Sequence, residues 1–173
     1  PEKAKTLSLT WDWRPRQELN VVVNAYRSRI ENLIVTGASS ATSLNGATLT
    51  NPETKINAGE ETHTGLDLMA QYRFQLSPAW SGDVWGSASW VSGDIDEGNG
   101  VEWDLSYVAD YKVKLGATLR YLDRVSITPQ VLWIGDTNNG RKSGTAPERL
   151  STPGYTLTNL HVGHGFWTLH LDT

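Results

Sequence analysis

From Gly65 to Phe74 the sequence GLDLMAQYRF alternates without a slip. Leu66, Leu68, Ala70, Tyr72 and Phe74 share one parity; Asp67, Met69, Gln71 and Arg73 share the other. Side chains of a strand point to opposite faces in turn, so this is a strand with one apolar and one mostly polar face. Two architectures use such strands. One is a soluble sandwich whose apolar face is its core; the other is a membrane barrel, oily outside and wet inside. Alternation alone leaves the two even.

The same pattern recurs. Over 6–13, Leu7, Leu9, Trp11 and Trp13 oppose Thr6, Ser8, Thr10 and Asp12. Over 110–121, Val113, Leu115, Ala117, Leu119 and Tyr121 oppose Lys112, Lys114, Gly116, Thr118 and Arg120. Over 80–91, Val84, Gly86, Ala88 and Trp90 share a face. Residues 19–35 read as a strand of open facing, because Arg27 and Arg29 share the parity of Val21 and Val23. In the strand over 125–135, Pro129 lacks a ladder donor, so a bulge or an unpaired N–H is expected there. Residues 154–166 and 167–172 read as a last hairpin.

Short turns at 14–17, 76–79 and 122–124 alternate with long polar loops at 36–55, 92–106 and 136–153. Outer-membrane barrels have that rhythm of short turns and long loops, and nothing in a soluble sandwich requires it. Aromatic residues gather at strand ends: Trp13, Phe74, Trp80, Tyr121 and Trp167 by the short turns, Trp90, Trp103, Tyr107 and Trp133 toward the long loops. Two interfacial girdles need that distribution. The three cleanest strands carry no charge on the apolar parity, where a mid-membrane Lys or Arg costs roughly 2–4 kcal/mol. Loop rhythm and aromatic placement together favour the barrel.

Composition narrows function. The 173 residues suffice for one ordinary domain and contain no Cys, which removes disulfides, thiol nucleophiles and thiolate metal sites. A net charge of -4 argues against nucleic acid, whose phosphates need a basic surface. No run approaches the ~18 apolar residues of a membrane helix. Eight Trp against two Phe suits a membrane interface, where the indole ring sits among headgroups. The chain opens on Pro1 and stops within a strand, so we expect an internal piece of a longer protein.

Motifs for chemistry are weak. Gly135 to Ser143, GDTNNGRKS, nearly reads as a phosphate loop, but its Lys comes one residue late and no helix follows. Asp94-Ile95-Asp96-Glu97 begins like a calcium loop yet lacks an acid at the fifth position and has Leu105 at the twelfth. His161 and His164 differ by an odd number and face opposite sides of a strand. No catalytic constellation, resident metal or cofactor is expected. On the polar parity, Asp12, Asp67, Arg73, Lys112, Lys114 and Arg120 are expected to face a lumen, as cross-strand ion pairs on a wet wall or as contacts for a plug or substrate.

Several stretches, in order, resemble the C-terminal part of the barrel of TonB-dependent outer-membrane receptors. Pro1-Glu2-Lys3 resembles the family's PE strand start. Tyr26-Arg27-Ser28-Arg29-Ile30-Glu31-Asn32-Leu33-Ile34 resembles Y-x-x-x-I-x-D-L-I, with Asn32 for Asp. Asn57-Ala58-Gly59 followed by Gly65-Leu66-Asp67-Leu68 resembles N-x-G-x-x-x-x-G-x-E-x, with Asp67 for Glu. Leu132-Trp133-Ile134-Gly135-Asp136 resembles R-Y-V-G-D, and Pro153-Gly154-Tyr155-Thr156-Leu157-Thr158-Asn159-Leu160 resembles P-G-Y-x-x-x-D-L.

The expected fold is all-β: an antiparallel meander of about eight strands over 1–173, part of a transmembrane β-barrel with short periplasmic turns and long extracellular loops. The resemblance implies a non-enzymatic, TonB-dependent receptor in the outer membrane of a Gram-negative bacterium. It would take up a scarce substrate such as an iron–siderophore, cobalamin or a glycan. Its partners would be outer-membrane lipid, TonB acting through a plug segment upstream, and a small-molecule substrate at the loops, with no nucleic acid. Trp103 (stacking) and Arg141 and Lys142 (anion contact) are loop candidates for that substrate. The alternatives are a passive or structural outer-membrane barrel, and a soluble carbohydrate-binding sandwich that would bury Leu66, Leu68, Val113 and Leu115.

Overall fold

The structure is a computed structural model that describes residues 1–38, 41, 43–48, 50, 53–96, 102–141, 149–165 and 167–172. Its elements are β1 (Lys3–Arg16), β2 (Leu19–Ala38), β3 (Ser43–Leu44), β4 (Ala47–Thr48), β5 (Glu53–Ser77), β6 (Trp80–Asp96), β7 (Glu102–Asp104), β8 (Tyr111–Tyr121), β9 (Val125–Ile134), β10 (Thr137–Arg141), β11 (Arg149–Thr152), β12 (Tyr155–His164) and β13 (Trp167–Asp172). The main sheet runs β1-β2-β5-β6-β8-β9-β12-β13, with β7 paired to β6; β3-β4 and β10-β11 are separate hairpins. This is the expected all-β antiparallel meander.

The small strands lie inside stretches read as loops, and β2, β5 and β6 run further than the apolar pattern does. A ladder needs only backbone partners, so a polar strand continues where no apolar parity marks it. Of the two outcomes expected at Pro129, a bulge or an unpaired N–H, the β8–β9 ladder shows no bulge. Gly116 pairs with Gln130 and Leu119 with Ile127, which is the same register on either side. The ladder lapses for two pairs and resumes unshifted.

Backbone contacts group the residues into two units: Pro1–Leu7, Arg27–Thr64 and Ser92–Leu105 form one, Ser8–Tyr26, Gly65–Val91 and Ser106–Thr173 the other.

The second unit carries the alternation. Across β6 and β8, Val84 faces Ala117, Gly86 faces Leu115, Ala88 faces Val113 and Trp90 faces Tyr111. On β9, Val131 and Trp133 continue that face. Among the described residues no second layer covers it: Leu9 is 74% exposed, Leu68 42% and Leu115 45%. Among the described residues the only buried hydrophobic one is Ala109. The soluble-sandwich alternative, which needs Leu66, Leu68, Val113 and Leu115 in a core, is contradicted: Leu66, like Leu68 and Leu115, is exposed, and Val113 is half-buried.

Aromatic rings close the apolar face at both ends. Trp80 lies 4.8 Å from Tyr121, Tyr72 stacks on Phe74 at 6.4 Å and Trp11 on Trp13 at 5.9 Å, all toward the short turns. Trp90, Tyr111 and Trp133 mark the loop-side end. Trp80 and Trp90 are roughly 33 Å apart along the strand. At a 45° tilt that is about 23 Å of height, close to the ~25 Å apolar band of a membrane barrel. The turns are tight: in the three-residue connection 122–124, Leu122 and Asp123 both have positive φ (49° and 54°), and the Arg124 N–H donates to the Tyr121 carbonyl at 3.0 Å. Ser77 Oγ accepts from the N–H groups of Ala79 and Trp80 at 3.2 Å.

The first unit is polar. Thr6 and Ser28 hydroxyls hydrogen-bond at 2.9 Å, and Arg29 grips Glu60 with two contacts of 2.7 Å. Glu2 accepts the Ile34 N–H at 3.1 Å, beside Asn32 at φ 61°.

Glycines admit aromatic rings into the sheet. A Cβ on Gly65 would collide with the Tyr26 ring, and one on Gly116 with the Trp85 indole. Gly65→Val is therefore expected to destabilise the full-length protein by about 1–3 kcal/mol. The check is the urea unfolding midpoint; adding Tyr26→Ala should recover part of the loss, and an unshifted midpoint would refute the packing argument.

Candidate functional site

The polar parity assembles into one wall in the second unit, because antiparallel register carries a parity from strand to strand. Thr10 donates to Asn24 at 3.0 Å and Asn24 donates to Asp67 at 3.2 Å. These bonds also settle β2: its even residues share the polar face with Asp67, so Val21, Val23 and Ala25 belong to the apolar one. Beyond them Ser87 faces Lys114 and Ser89 faces Lys112. A groove of about 420 Å³ is lined by Asn24, Asp67, Ser87, Ser89, Lys112 and Lys114.

Each residue singled out on the polar parity has a defined surrounding. Asp12 binds Arg14 at 2.7 Å. Asp67 takes its bond from Asn24, where the family usually has Glu. Arg73 lines a second groove of about 450 Å³ with Arg14, Arg16, Glu18, Asn20 and Gln71 near the short turns. Lys114 lies 5.3 Å from the centre of the Trp85 ring, a cation–π contact. Lys112 borders the first groove. Arg120 binds Asp83 at 2.7 Å, a diagonal cross-strand pair. Sequence reasoning missed Asp83, Arg14 and Trp85 as partners, although the parity of Asp83 and Trp85 was plain from the alternation.

The loop candidates are less defined. Trp103 lies on β7 opposite Ile95. Arg141 ends β10 opposite Arg149. Lys142 and Ser143, the end of the phosphate-loop-like stretch, lie outside the described residues. No cluster of three or more metal-ligating side chains occurs among the described residues. His161 lies opposite Thr128 on the polar face and His164 opposite Val125 on the other. Outside the apolar band, the hydrogen-bonded carboxylate of Glu60, and secondarily the charge of Glu31, raises the Arg29 guanidinium above its ordinary pKa.

With that geometry in hand, the comparisons are direct. The family model described as "TonB dependent receptor-like, beta-barrel" matches residues 1–172. This chain therefore belongs to the TonB-dependent receptor β-barrel family, and its sheet is a segment of such a barrel. Among solved structures, it is similar to the ferric-catecholate import receptor Fiu from E. coli K12 in its closed form. The TM-score is 0.67 at 19% identity, over 99% of this chain and 23% of that one. The chain thus spans about a quarter of that receptor's length. No curated protein matches.

The family's motifs meet in pairs here. Tyr26 lies over Gly65. Glu2 accepts from Ile34. Asp136 accepts the Gly154 N–H at 2.7 Å, joining the G-D and P-G-Y stretches. They are joints between strands.

The Asp83–Arg120 pair is half in water, with side-chain exposures of 12% and 40%. Asp83→Ala should cost about 1–2 kcal/mol, between a surface pair and a buried one. A double-mutant cycle with Arg120→Ala should show strong non-additivity; additive midpoint shifts would mean the pair contributes nothing.

Proposed function

We propose that this chain is a wall segment of an outer-membrane, TonB-dependent active transporter for a scarce substrate. The observation that carries this reading is the broad apolar face that no protein layer covers, on a sheet whose opposite face is a hydrogen-bonded polar wall. Lipid covers the first face and a lumen wets the second. Asp12, Asp67, Arg73, Lys112, Lys114 and Arg120 line that lumen. The loops joining β2 to β5, β6 to β8 and β9 to β12 reach the outside and meet the substrate, with Trp103, Arg141 and Lys142 as contacts. TonB acts on a plug segment elsewhere in the protein. The import role in the name of the Fiu receptor makes a ferric catecholate the first substrate to try.

The test is uptake. Cells carrying the full-length protein as their sole receptor of this kind should accumulate radiolabelled ferric catecholate, cobalamin or an oligosaccharide. Accumulation should stop when TonB is deleted or the proton gradient is collapsed. Passage of solutes that equilibrates without TonB would contradict active transport and indicate a passive barrel.

A further inference from the structure

The strands of the main sheet distribute their cations unevenly. Arg14, Arg16, Arg73, Lys112, Lys114 and Arg120 fall on the polar parity. The cations on the apolar parity are Lys3 and Lys5 of β1 and Arg27 and Arg29 of β2, and all four lie toward the loop-side ends of these two adjacent strands. The Thr6–Ser28 hydrogen bond joins the two strands here, and Leu7 and Arg27 adjoin its two residues in sequence. Leu7 is 79% exposed. Arg27 follows Val21, Val23 and Ala25 along its strand as the first cation past the apolar run.

Neutralisation within the patch is incomplete. Glu60 and Glu31 bind Arg29, and Glu31 also reaches Lys5 at 3.4 Å, a long and exposed contact. Arg27 is exposed and has no ion pair among the described residues. The carboxylates Asp94 and Asp96 of the same face belong to β6, which β5 separates from β2. Where a hydrocarbon-covered face gives way to water, the groups met first are lipid headgroups, and long cationic side chains extend toward their phosphates.

We infer that Lys5, Leu7 and Arg27 form a docking site for a phosphate-bearing lipid of the loop-side leaflet. Arg27 and Lys5 hold the phosphate and Leu7 takes the start of an acyl chain. The inference rests on the proposed lipid-facing orientation of the apolar face. Its ligand is an anionic lipid, held from the membrane side, in a place the transported substrate never occupies.

Brominated lipids test both layers at once, since Trp11 and Trp13 share the odd parity of Lys5 and Leu7 in the sequence of β1. The full-length protein is reconstituted in phosphatidylcholine vesicles, and Trp quenching is compared for brominated phosphatidylcholine and brominated phosphatidic acid. Quenching by either lipid is the sign of a lipid-covered face; its absence would overturn the orientation itself. The docking site predicts a several-fold preference for the phosphatidic acid. Arg27→Gln should reduce that preference by roughly fivefold, and Lys5→Gln should add to the loss. Arg27→Lys, which keeps the charge, should retain most of it. Quenching with no anionic preference, or a preference that Arg27→Gln leaves intact, would overturn the site and leave the orientation standing.

Discussion

An unclosed hydrophobic account governs this molecule. A sheet satisfies its backbone N–H and C=O groups by pairing strands, and the ladders here do so from β1 to β13. Its apolar side chains still need a medium. Burial of a Leu or Val side chain is worth about 1.5–3 kcal/mol, and a water-bathed face bearing Leu9, Leu66, Leu68 and Leu115 forgoes a large part of that. In the proposed reading, hydrocarbon supplies the missing medium. It admits only structures whose backbone polar groups are already bonded, so the meander and the bare face are two results of one constraint.

The same constraint explains the wall behind that face. Among its charges Asp12 pairs with Arg14 and Asp83 with Arg120, and its amides and hydroxyls chain from Thr10 through Asn24 to Asp67. Such a surface tolerates water and solutes passing over it. Trp85, an indole, also stands on this polar face. It fits because Gly116 beneath it has no side chain and Lys114 caps its ring.

Strand facing was legible because period two survives any tilt or twist, as the run from Leu66 to Phe74 illustrates. Turn and loop placement was legible for the same reason: Pro, Ser, Asn and Gly interrupt the alternation where the chain reverses. Strand ends were not. The stretch from Glu53 to Thr64 is polar on both parities, so nothing in its composition separates a strand extension from a loop. The facing of β2 also needed structure, since Arg27 and Arg29 sit on the apolar parity just past Ala25. The partners of Arg120 and Lys114 depend on register between strands, which no single strand carries. The family's motifs were legible as a resemblance before their role was. Asn32 stands at a left-handed φ, which Asn and Asp tolerate best among residues with a Cβ, so either residue suits this position.

The central claim concerns what touches the side chains of residues 66–73. Spin labels placed one at a time along this stretch, in the full-length protein in lipid vesicles and a cysteine-free background, read it directly. The account predicts a period of two: positions 66, 68, 70 and 72 collide with dissolved oxygen and not with a water-soluble nickel chelate, and positions 67, 69, 71 and 73 do the reverse. Even-numbered positions shielded from both reagents would mean that protein covers the apolar face, and the account would fail.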